Sequence, residues 1–280
     1  GIRDVLGSRG LGDVYKRQDD TDYKRILEIF KKYDIRYFFY NGGNDSMDTC
    51  NKISKYMQKV GYECRIMGVP KTIDNDLNGT DHCPGFASAA KYIATSCAEV
   101  WQDAHVYDTG MVTIIEIMGR HAGWLTAASV LARKFEQDNP VLIYLPEADF
   151  DQESFLASLE ECFKTKNNLI VCVSEGIHDK DGTFICEYAA SAGVDAFGHK
   201  MLTGCGKYLE NLVRDRLGVK VRSVELNVNQ RCSAFLQSET DALEAAQAGA
   251  FGVTSAISGE TGKMVSFVRK SDKPYVMECG

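Results

Sequence analysis

The stretch Cys64–Asp76, CRIMGVPKTIDND, contains the local pattern that repeats along the chain. Its first seven residues, Cys64–Pro70, are apolar and β-prone, and they predict a buried strand. The next six, Lys71–Asp76, place a lysine, a threonine and two aspartates directly after that strand. Ligands bind at the carboxyl ends of strands in parallel sheets. This stretch therefore predicts both a buried strand and a candidate site at its end.

Strands and helices alternate from about residue 19. The predicted strands cover residues 35–41, 64–70, 111–119, 141–147, 168–176, 220–227 and 263–270. The predicted helices cover residues 23–33, 48–61, 86–100, 123–134, 153–166, 202–212 and 239–252. Strands that alternate with helices of about ten or more residues are typical of βαβ units. We predict an α/β fold with two Rossmann-like domains, mainly parallel sheets, and an active site in the cleft between the domains.

The composition narrows the class of protein. Of the 280 residues, 44% are hydrophobic and 25% are charged, and the formal net charge is −7. This acidic balance disfavours a nucleic-acid or membrane-surface partner, and no apolar run is long enough to span a bilayer. The ten cysteines contain no CxxC pair, which disfavours a zinc–thiolate site. No signal peptide is visible, so we expect reduced thiols in a cytoplasmic protein.

Residues 1–18, GIRDVLGSRGLGDVYKRQ, differ from the rest because they carry no sustained helical or strand period. They resemble translated adapter sequence, so we predict that this segment is non-native and leave it out of the fold. We expect the chain to be a fragment that misses both ends, with little turnover by itself.

Six polar stretches follow predicted strands, and most of the unusual chemistry of the sequence lies in them. The stretches are NGGNDS (41–46), PKTIDND (70–76), MGRHAG (118–123), PEAD (146–149), SEGIH (174–178) and NQR (229–231).

The stretch NGGNDS leads from a strand into a helix. Gly42 and Gly43 let the backbone approach a ligand closely, and the amides of a helix N-terminus favour an anion. The alternative is an ordinary tight turn with Asp45 or Ser46 as the helix N-cap.

The stretch PKTIDND is a more specific signal of a functional site than NGGNDS is. If it is extended, Thr72, Asp74 and Asp76 face the same side. Two carboxylates can divide proton acceptance and charge positioning between them, and Lys71 suits phosphate oxygens. The alternative is a solvated polar loop.

The other stretches add charged groups at further strand ends. Arg120 lies among glycines, Glu175 can accept hydrogen bonds from sugar hydroxyls, and Arg222 and Arg231 are candidates for a phosphate clamp. Surface charge or a local ion pair is the alternative for each of these residues alone. Two histidines in these stretches are interpreted as structural rather than catalytic: His121 and His178.

Taken together, residues from about 35 to 268 resemble the phosphofructokinase family, because these stretches occur in the family's order and with similar separations. The resemblance implies transfer of a phosphoryl group to the 1-hydroxyl of fructose 6-phosphate in glycolysis. It implies Asp74 as the catalytic base, with Lys71 and Asp45 beside the donor. The implied substrate-binding residues are Thr72, Asp74, Asp76, Met118, Gly119, Arg120 and Glu175 for the sugar and Arg222 and Arg231 for its 6-phosphate.

The donor site and the metal follow from the same resemblance. Gly42, Gly43, Asp45 and Lys71 would bind the donor. Many members have a magnesium-binding aspartate where this chain has Asn44. The candidates for Mg²⁺ are therefore Asn44 and Asp45, with Asp74 as a further one.

The residues at positions 45 and 71 indicate which donor is used. Diphosphate-using members usually have aspartate and lysine there, as this chain does, whereas ATP-using members usually have glycine at both. We predict a diphosphate-dependent enzyme. The alternatives are an ATP-dependent or mixed-donor phosphofructokinase, and a catalytically silent subunit that binds sugar phosphates.

The resemblance also implies a domain order and an assembly. Residues 19–100 would form the phosphoryl-donor domain, 101–232 the fructose-6-phosphate domain, and 233–280 a return to the donor domain. We expect a homodimer or homotetramer.

Overall fold

The computed structural model describes residues 21–106, 108–134, 138–188 and 204–280. The α-helices in these ranges are α1 (Thr21–Lys32), α2 (Asn44–Lys59), α3 (Phe86–Ala104), α4 (Trp124–Ala128), α5 (Gln152–Phe163), α6 (Cys205–Leu217) and α7 (Glu239–Ile257). The strands are β1 (Tyr37–Gly42), β2 (Arg65–Pro70), β3 (Met111–Ile117), β4 (Leu142–Tyr144), β5 (Asn168–Ser174), β6 (Lys220–Glu225), β7 (Lys263–Met264), β8 (Phe267–Asp272) and β9 (Tyr275–Cys279). The segment predicted to be adapter-like, residues 1–18, lies outside the described residues, as does the start of the helix predicted from residue 202.

The chain divides into two compact units, and each has its own parallel sheet. Unit 1 contains described residues 21–85 and Glu239–Gly280, and its sheet has the order β1-β2-β7. Unit 2 is Phe86–Ser238, and its sheet has the order β4-β5-β3-β6. The predicted α/β fold with mainly parallel sheets is confirmed. The predicted domain boundary at residue 100 falls inside α3, which belongs to unit 2 as a whole.

The core of unit 1 forms because α1 and α2 have apolar residues at helical spacing. Ile26, Ile29 and Phe30 are the buried positions of α1, and Ile53 of α2 is fully buried. Most of these side chains pack with Phe38 and Ile66 of the sheet. Burial of each large apolar side chain contributes roughly 1.5–3 kcal/mol.

The core of unit 2 surrounds two strands that are buried along their whole length. Every residue of β3 and of β5 is buried, which explains why both read as nearly continuous apolar runs rather than alternating ones. α5 and α6 supply much of the apolar cover, with Phe155, Leu159, Leu209 and Val213 packed in one cluster with the strands.

Two local predictions are wrong. The single final strand expected over residues 263–270 is two strands: β7 pairs in parallel with β2, and β8 turns into an antiparallel hairpin with β9. The hairpin was missed because its second strand was not recognised in the final residues. The N-cap of α2 is Gly43, not Asp45 or Ser46, and Asp45 lies in the first helical turn.

The two longest helices of the described residues, α3 and α7, each have 19 residues. Neither of them, nor any other helix described, has the length and apolar character that crossing a bilayer requires.

Candidate active site

Two of the predicted stretches meet in unit 1 at the carboxyl ends of β1 and β2. These strands are parallel, with Gly42 opposite Pro70, and the Lys71 amide donates to the Gly42 carbonyl at 2.9 Å. Gly43 approaches Thr72 closely: a Cβ built on Gly43 would lie 3.5 Å from the Thr72 Cβ. A Cβ on Gly42 would come within 2.1 Å of the Ser46 hydroxyl, so Gly42 has no room for a side chain. The parallel pairing therefore brings NGGNDS against PKTIDND.

A side-chain hydrogen bond joins the same two stretches. The Asn44 amide nitrogen donates to the Asp76 carboxylate at 2.5 Å, across 32 positions of sequence. Both residues are exposed, as are Asp45 and Lys71. The predicted donor and metal residues thus lie in two neighbouring segments, residues 42–46 at the end of β1 and residues 71–76 after β2. We call these two segments the turn pair.

The stretch PKTIDND is not extended, and that premise of the prediction was wrong. Asn75 has a φ of 56°, which asparagine tolerates better than most residues, and its side chain accepts a 2.8 Å hydrogen bond from the Cys83 amide. Thr72 is buried, and its hydroxyl accepts from the Asp74 amide at 3.1 Å. The threonine hydroxyl therefore fixes the start of the turn, and the turn at Asn75 precedes the Asp76 carboxylate that meets Asn44.

The segment after the two aspartates is closed into a loop. The Thr72 amide donates to the Pro84 carbonyl at 3.2 Å, which joins the two ends of the loop. The Gly85 amide donates to the buried carboxylate of Asp241 on α7 at 2.8 Å. Helix α7 therefore fixes one end of the loop that carries the aspartates.

A charged cluster that sequence reasoning missed anchors this loop a second time. The two ring nitrogens of His82 lie 2.8 Å from Asp81 and 2.8 Å from Glu244 of α7. Arg269 of β8 donates to Asp81, and its hydrogen bond lowers the pKa of that carboxyl, as does His82. Tyr275 of β9 donates to Glu244 at 2.6 Å. The pKa of the tyrosine is raised, mainly by burial and secondly by this hydrogen bond. The loop is thus tied to both α7 and the C-terminal hairpin.

In unit 2 hydrogen bonds between side chains and backbone join the segment after β3 (residues 118–123) to the segment at the end of β5 (residues 174–178). We call this contact the junction. The Gly119 amide donates to a Glu175 carboxylate oxygen at 3.3 Å, and the Ser174 hydroxyl donates to the Gly119 carbonyl. Gly119 has a φ of 143°, and a Cβ there would lie 2.5 Å from the Ala122 carbonyl oxygen. Only glycine fits this position, which explains the first glycine of MGRHAG.

The third stretch, PEAD, joins the same junction. Glu147 accepts the Gly123 amide at the start of α4 at 2.7 Å. The His178 ring contacts the backbone carbonyls of Asp179 and Pro146 at 2.8 and 3.1 Å. These contacts favour the structural interpretation of His178.

A buried carboxylate near this junction was also missed. Glu116 of β3 is 5% exposed and accepts amides of Gly204 at 3.2 Å and Gly206 at 2.7 Å, at the start of α6. Burial raises the pKa of Glu116, and the amide bonds partly offset that effect. An acidic residue inside the apolar run MVTIIEI was the available signal.

The two arginines predicted as a clamp occupy different kinds of position. Arg222 lies within β6, opposite Thr113 of β3, and makes an ion pair of 3.0 Å with Asp103. Arg231 is exposed at the end of the 3-10 helix Asn227–Arg231 that follows β6. Their joint role as a phosphate clamp stays a prediction.

The residues of the turn pair suit a hard cation. Mg²⁺ prefers oxygen ligands and is usually held by one or two carboxylates together with substrate phosphates. Asn44 uses its amide nitrogen in the bond to Asp76, so its side-chain oxygen takes no part in that bond. In the part of the chain that the structure describes, no group of three or more His, Cys, Asp and Glu side chains is arranged to hold a metal. A phosphate-bound magnesium does not need such a group.

The sequence model of the family described as Phosphofructokinase matches residues 5–255. The chain therefore belongs to the phosphofructokinase family, and the resemblance predicted from the strand-end stretches is confirmed. The match begins inside residues 1–18, so the adapter-like origin of that segment stays a prediction.

Individual relatives carry diphosphate-dependent names. A Halomonas elongata protein named pyrophosphate–fructose 6-phosphate 1-phosphotransferase is 44% identical over 257 residues, which are 91% of this chain and 61% of that protein. A Methylococcus capsulatus protein of the same name is 41% identical over 263 residues, 93% of this chain and 62% of that protein. The crystal structure of a pyrophosphate-dependent phosphofructokinase from Marinobacter aquaeolei matches with a TM-score of 0.82 and 37% identity over 94% of this chain and 62% of that one. The chain thus spans less than two thirds of the length of these relatives.

Proposed function

We propose that the chain carries the active site of a diphosphate-dependent phosphofructokinase, a phosphotransferase of glycolysis in the cytoplasm. The reaction moves a phosphoryl group from diphosphate to the 1-hydroxyl of fructose 6-phosphate. The observation that carries the proposal is the meeting of NGGNDS and PKTIDND, with Lys71 and Asp45 exposed beside the Asn44–Asp76 bond. The names of the relatives at 41–44% identity support the same donor.

The proposed reaction is an in-line phosphoryl transfer between two oxygen atoms. The oxygen of the sugar's 1-hydroxyl forms a bond to one phosphorus of diphosphate, and the bridging P–O bond breaks. Asp74 takes the hydroxyl proton, and orthophosphate leaves with the electrons of the broken bond. Lys71 stabilises the charge on the leaving phosphate. Such a transfer needs mainly positioning and charge neutralisation, which an exposed lysine beside a fixed loop can supply.

The donor preference rests on the first turn of α2. The amides of a helix N-terminus attract anions, but here Asp45 already places a carboxylate in that turn. A third phosphate, as in ATP, would lie near this turn and be repelled by the Asp45 carboxylate. The two phosphates of diphosphate can bind without approaching that carboxylate. Asp45 therefore disfavours ATP.

The other proposed binding residues are found in both units. Gly42, Gly43, Asp45 and Lys71 would bind the donor in unit 1. The proposed sugar-binding residues of unit 1 are Thr72, Asp74 and Asp76. Those of unit 2 are Met118, Gly119, Arg120 and Glu175, with Arg222 and Arg231 for the 6-phosphate. Asn44 and Asp45, with Asp74 as a further candidate, would hold Mg²⁺, which neutralises charge on the diphosphate when bound. A homodimer or homotetramer stays the expected assembly.

The proposal is tested by turnover of two proteins: the chain itself, and a chimera in which the chain replaces the matching segment of the Halomonas elongata relative. Each is supplied with fructose 6-phosphate, Mg²⁺ and either diphosphate or ATP, and fructose 1,6-bisphosphate is measured with aldolase-coupled oxidation of NADH. We expect product from the chimera with diphosphate. A chimera that folds and makes no product with either donor, while its parent is active, contradicts the proposal.

A further inference from the structure

Gln230 is a buried polar residue in an otherwise exposed turn. It belongs to the 3-10 helix Asn227–Arg231 after β6 and is 3% exposed, whereas its neighbours Asn229 and Arg231 are exposed. A glutamine is seldom buried unless its amide group is hydrogen-bonded on both sides. This one is bonded on both sides.

The two ends of the Gln230 amide group have different partners. Its oxygen accepts the Met118 backbone amide at 3.0 Å, and its nitrogen donates to the Asn227 carbonyl at 3.0 Å. Asn227 has a φ of 46°, so the turn that supplies this carbonyl is itself tightly constrained. Gln230 therefore joins the segment after β3 to the segment after β6.

The adjacent amide is held from the other side. β3 lies between β5 and β6 in the sheet, and the Gly119 amide donates to Glu175, which follows β5. Two consecutive amides, of Met118 and Gly119, are thus bound by side chains from the two neighbouring strand ends. These side chains, Gln230 and Glu175, line the same cavity of about 30 Å³ together with Met118 and Asn227.

We propose that Gln230 is a positioning residue for the sugar-phosphate site of unit 2. It fixes the position of the Met118 and Gly119 backbone relative to the turn that ends at Arg231. In this proposal that backbone faces the sugar and Arg231 faces the 6-phosphate. This inference rests on the proposed function, because it takes these residues to be the sugar-phosphate site. It adds a residue that contacts no substrate and acts through its two backbone partners.

The polarity of the amide group is what the role requires. Gln230→Met keeps a side chain of similar length but removes both hydrogen bonds. Gln230→Glu keeps an acceptor for the Met118 amide but places a carboxylate oxygen against the Asn227 carbonyl, which repels the turn. Gln237→Glu is the matched control for charge, because Gln237 is exposed on the same connecting segment.

The test uses the 280-residue chain and two binding measurements by titration calorimetry. We expect Gln230→Met and Gln230→Glu to raise the Kd of fructose 6-phosphate about 10-fold or more, as expected when positioning is lost. The Kd of magnesium diphosphate should change less than about twofold, because Gln230 lies outside unit 1. Gln237→Glu should change neither value by more than that. A purely structural role would move both affinities together.

Amide hydrogen exchange provides a second readout that does not depend on substrate. Exchange at Met118 should be faster in Gln230→Met than in the unmodified chain, and unchanged in Gln237→Glu. If the unmodified chain binds no fructose 6-phosphate, the proposed function of unit 2 fails and this inference with it. If it binds and the Gln230 variants bind equally well, or if Met118 exchange is unchanged, only the inference about Gln230 fails.

Discussion

The amide of Asn44 donates a 2.5 Å hydrogen bond to the carboxylate of Asp76, and this bond joins the first residue of α2 to the loop after β2. An aspartate at position 44 would place a second negative charge at hydrogen-bond distance from the first. Asparagine avoids that repulsion without a cation between the two side chains.

Replacing Asn44 with aspartate tests this explanation. We expect Asn44→Asp to lower the free energy of unfolding by about 1–3 kcal/mol in the absence of divalent cations, since a charge-assisted bond becomes a like-charge contact. Mg²⁺ should raise the melting temperature of the variant more than that of the unmodified chain. The control is Asn51→Asp, which adds the same charge at an exposed position of α2. Equal stabilisation by Mg²⁺ of the unmodified chain and Asn44→Asp would contradict the prediction.

The proton acceptor is tested by Asp74→Ser in the chimera. Loss of a general base lowers kcat by about 10² to 10⁴. The KM for fructose 6-phosphate should change only a few-fold, because the junction of Gly119 and Glu175 is untouched. Initial rates over a range of sugar concentrations separate the two constants. A large rise in KM with kcat intact would make Asp74 a binding residue instead.

The donor residues are tested by Asp45→Gly and Lys71→Gly in the chimera. Asp45→Gly should lower the KM for ATP, because the carboxylate in the first turn of α2 is removed. Lys71→Gly should lower kcat with diphosphate and leave ATP turnover no better. Asp48→Gly, in the same helix, controls for the helix destabilisation that glycine causes, about 1 kcal/mol. An unchanged KM for ATP in Asp45→Gly would rule out the exclusion by Asp45.

A stability prediction concerns Glu210 on α6, which lies far along the chain from the donor residues. Burial raises the pKa of Glu210, but hydrogen bonds from Lys207, Ser223 and Arg214 more than offset this and lower it to about 2. A lowered carboxyl pKa contributes stability that is fully present above the unfolded value and is lost as the pH falls through the folded value.

The corresponding experiment is urea unfolding of Glu210→Gln at several pH values. We expect the variant to be about 2 kcal/mol less stable at pH 7, and the difference should shrink as the pH falls from about 5 towards 2. Glu160→Gln, on the exposed face of α5, should show no such dependence. A difference that stays constant with pH would mean that the charge of Glu210 does not matter.

Much of the fold could be predicted from local patterns, because apolar periodicity reports directly on buried helix faces and on strands covered on both sides. The six strand-end stretches could be found for the same reason, since parallel strands place their carboxyl ends together. The left-handed turn at Asn75 could not, because its conformation depends on a bond to Cys83. The bond between Met118 and Gln230 spans 112 positions and leaves no local pattern in the sequence.

Competition between the two donors is the most direct test of whether diphosphate is the phosphoryl donor. The chimera is given fructose 6-phosphate, Mg²⁺ and equal concentrations of ATP and diphosphate, and the phosphorus species are followed by ³¹P NMR. We expect that diphosphate is consumed while orthophosphate and fructose 1,6-bisphosphate appear together and the ATP signals stay constant. Formation of ADP with diphosphate unchanged would contradict it.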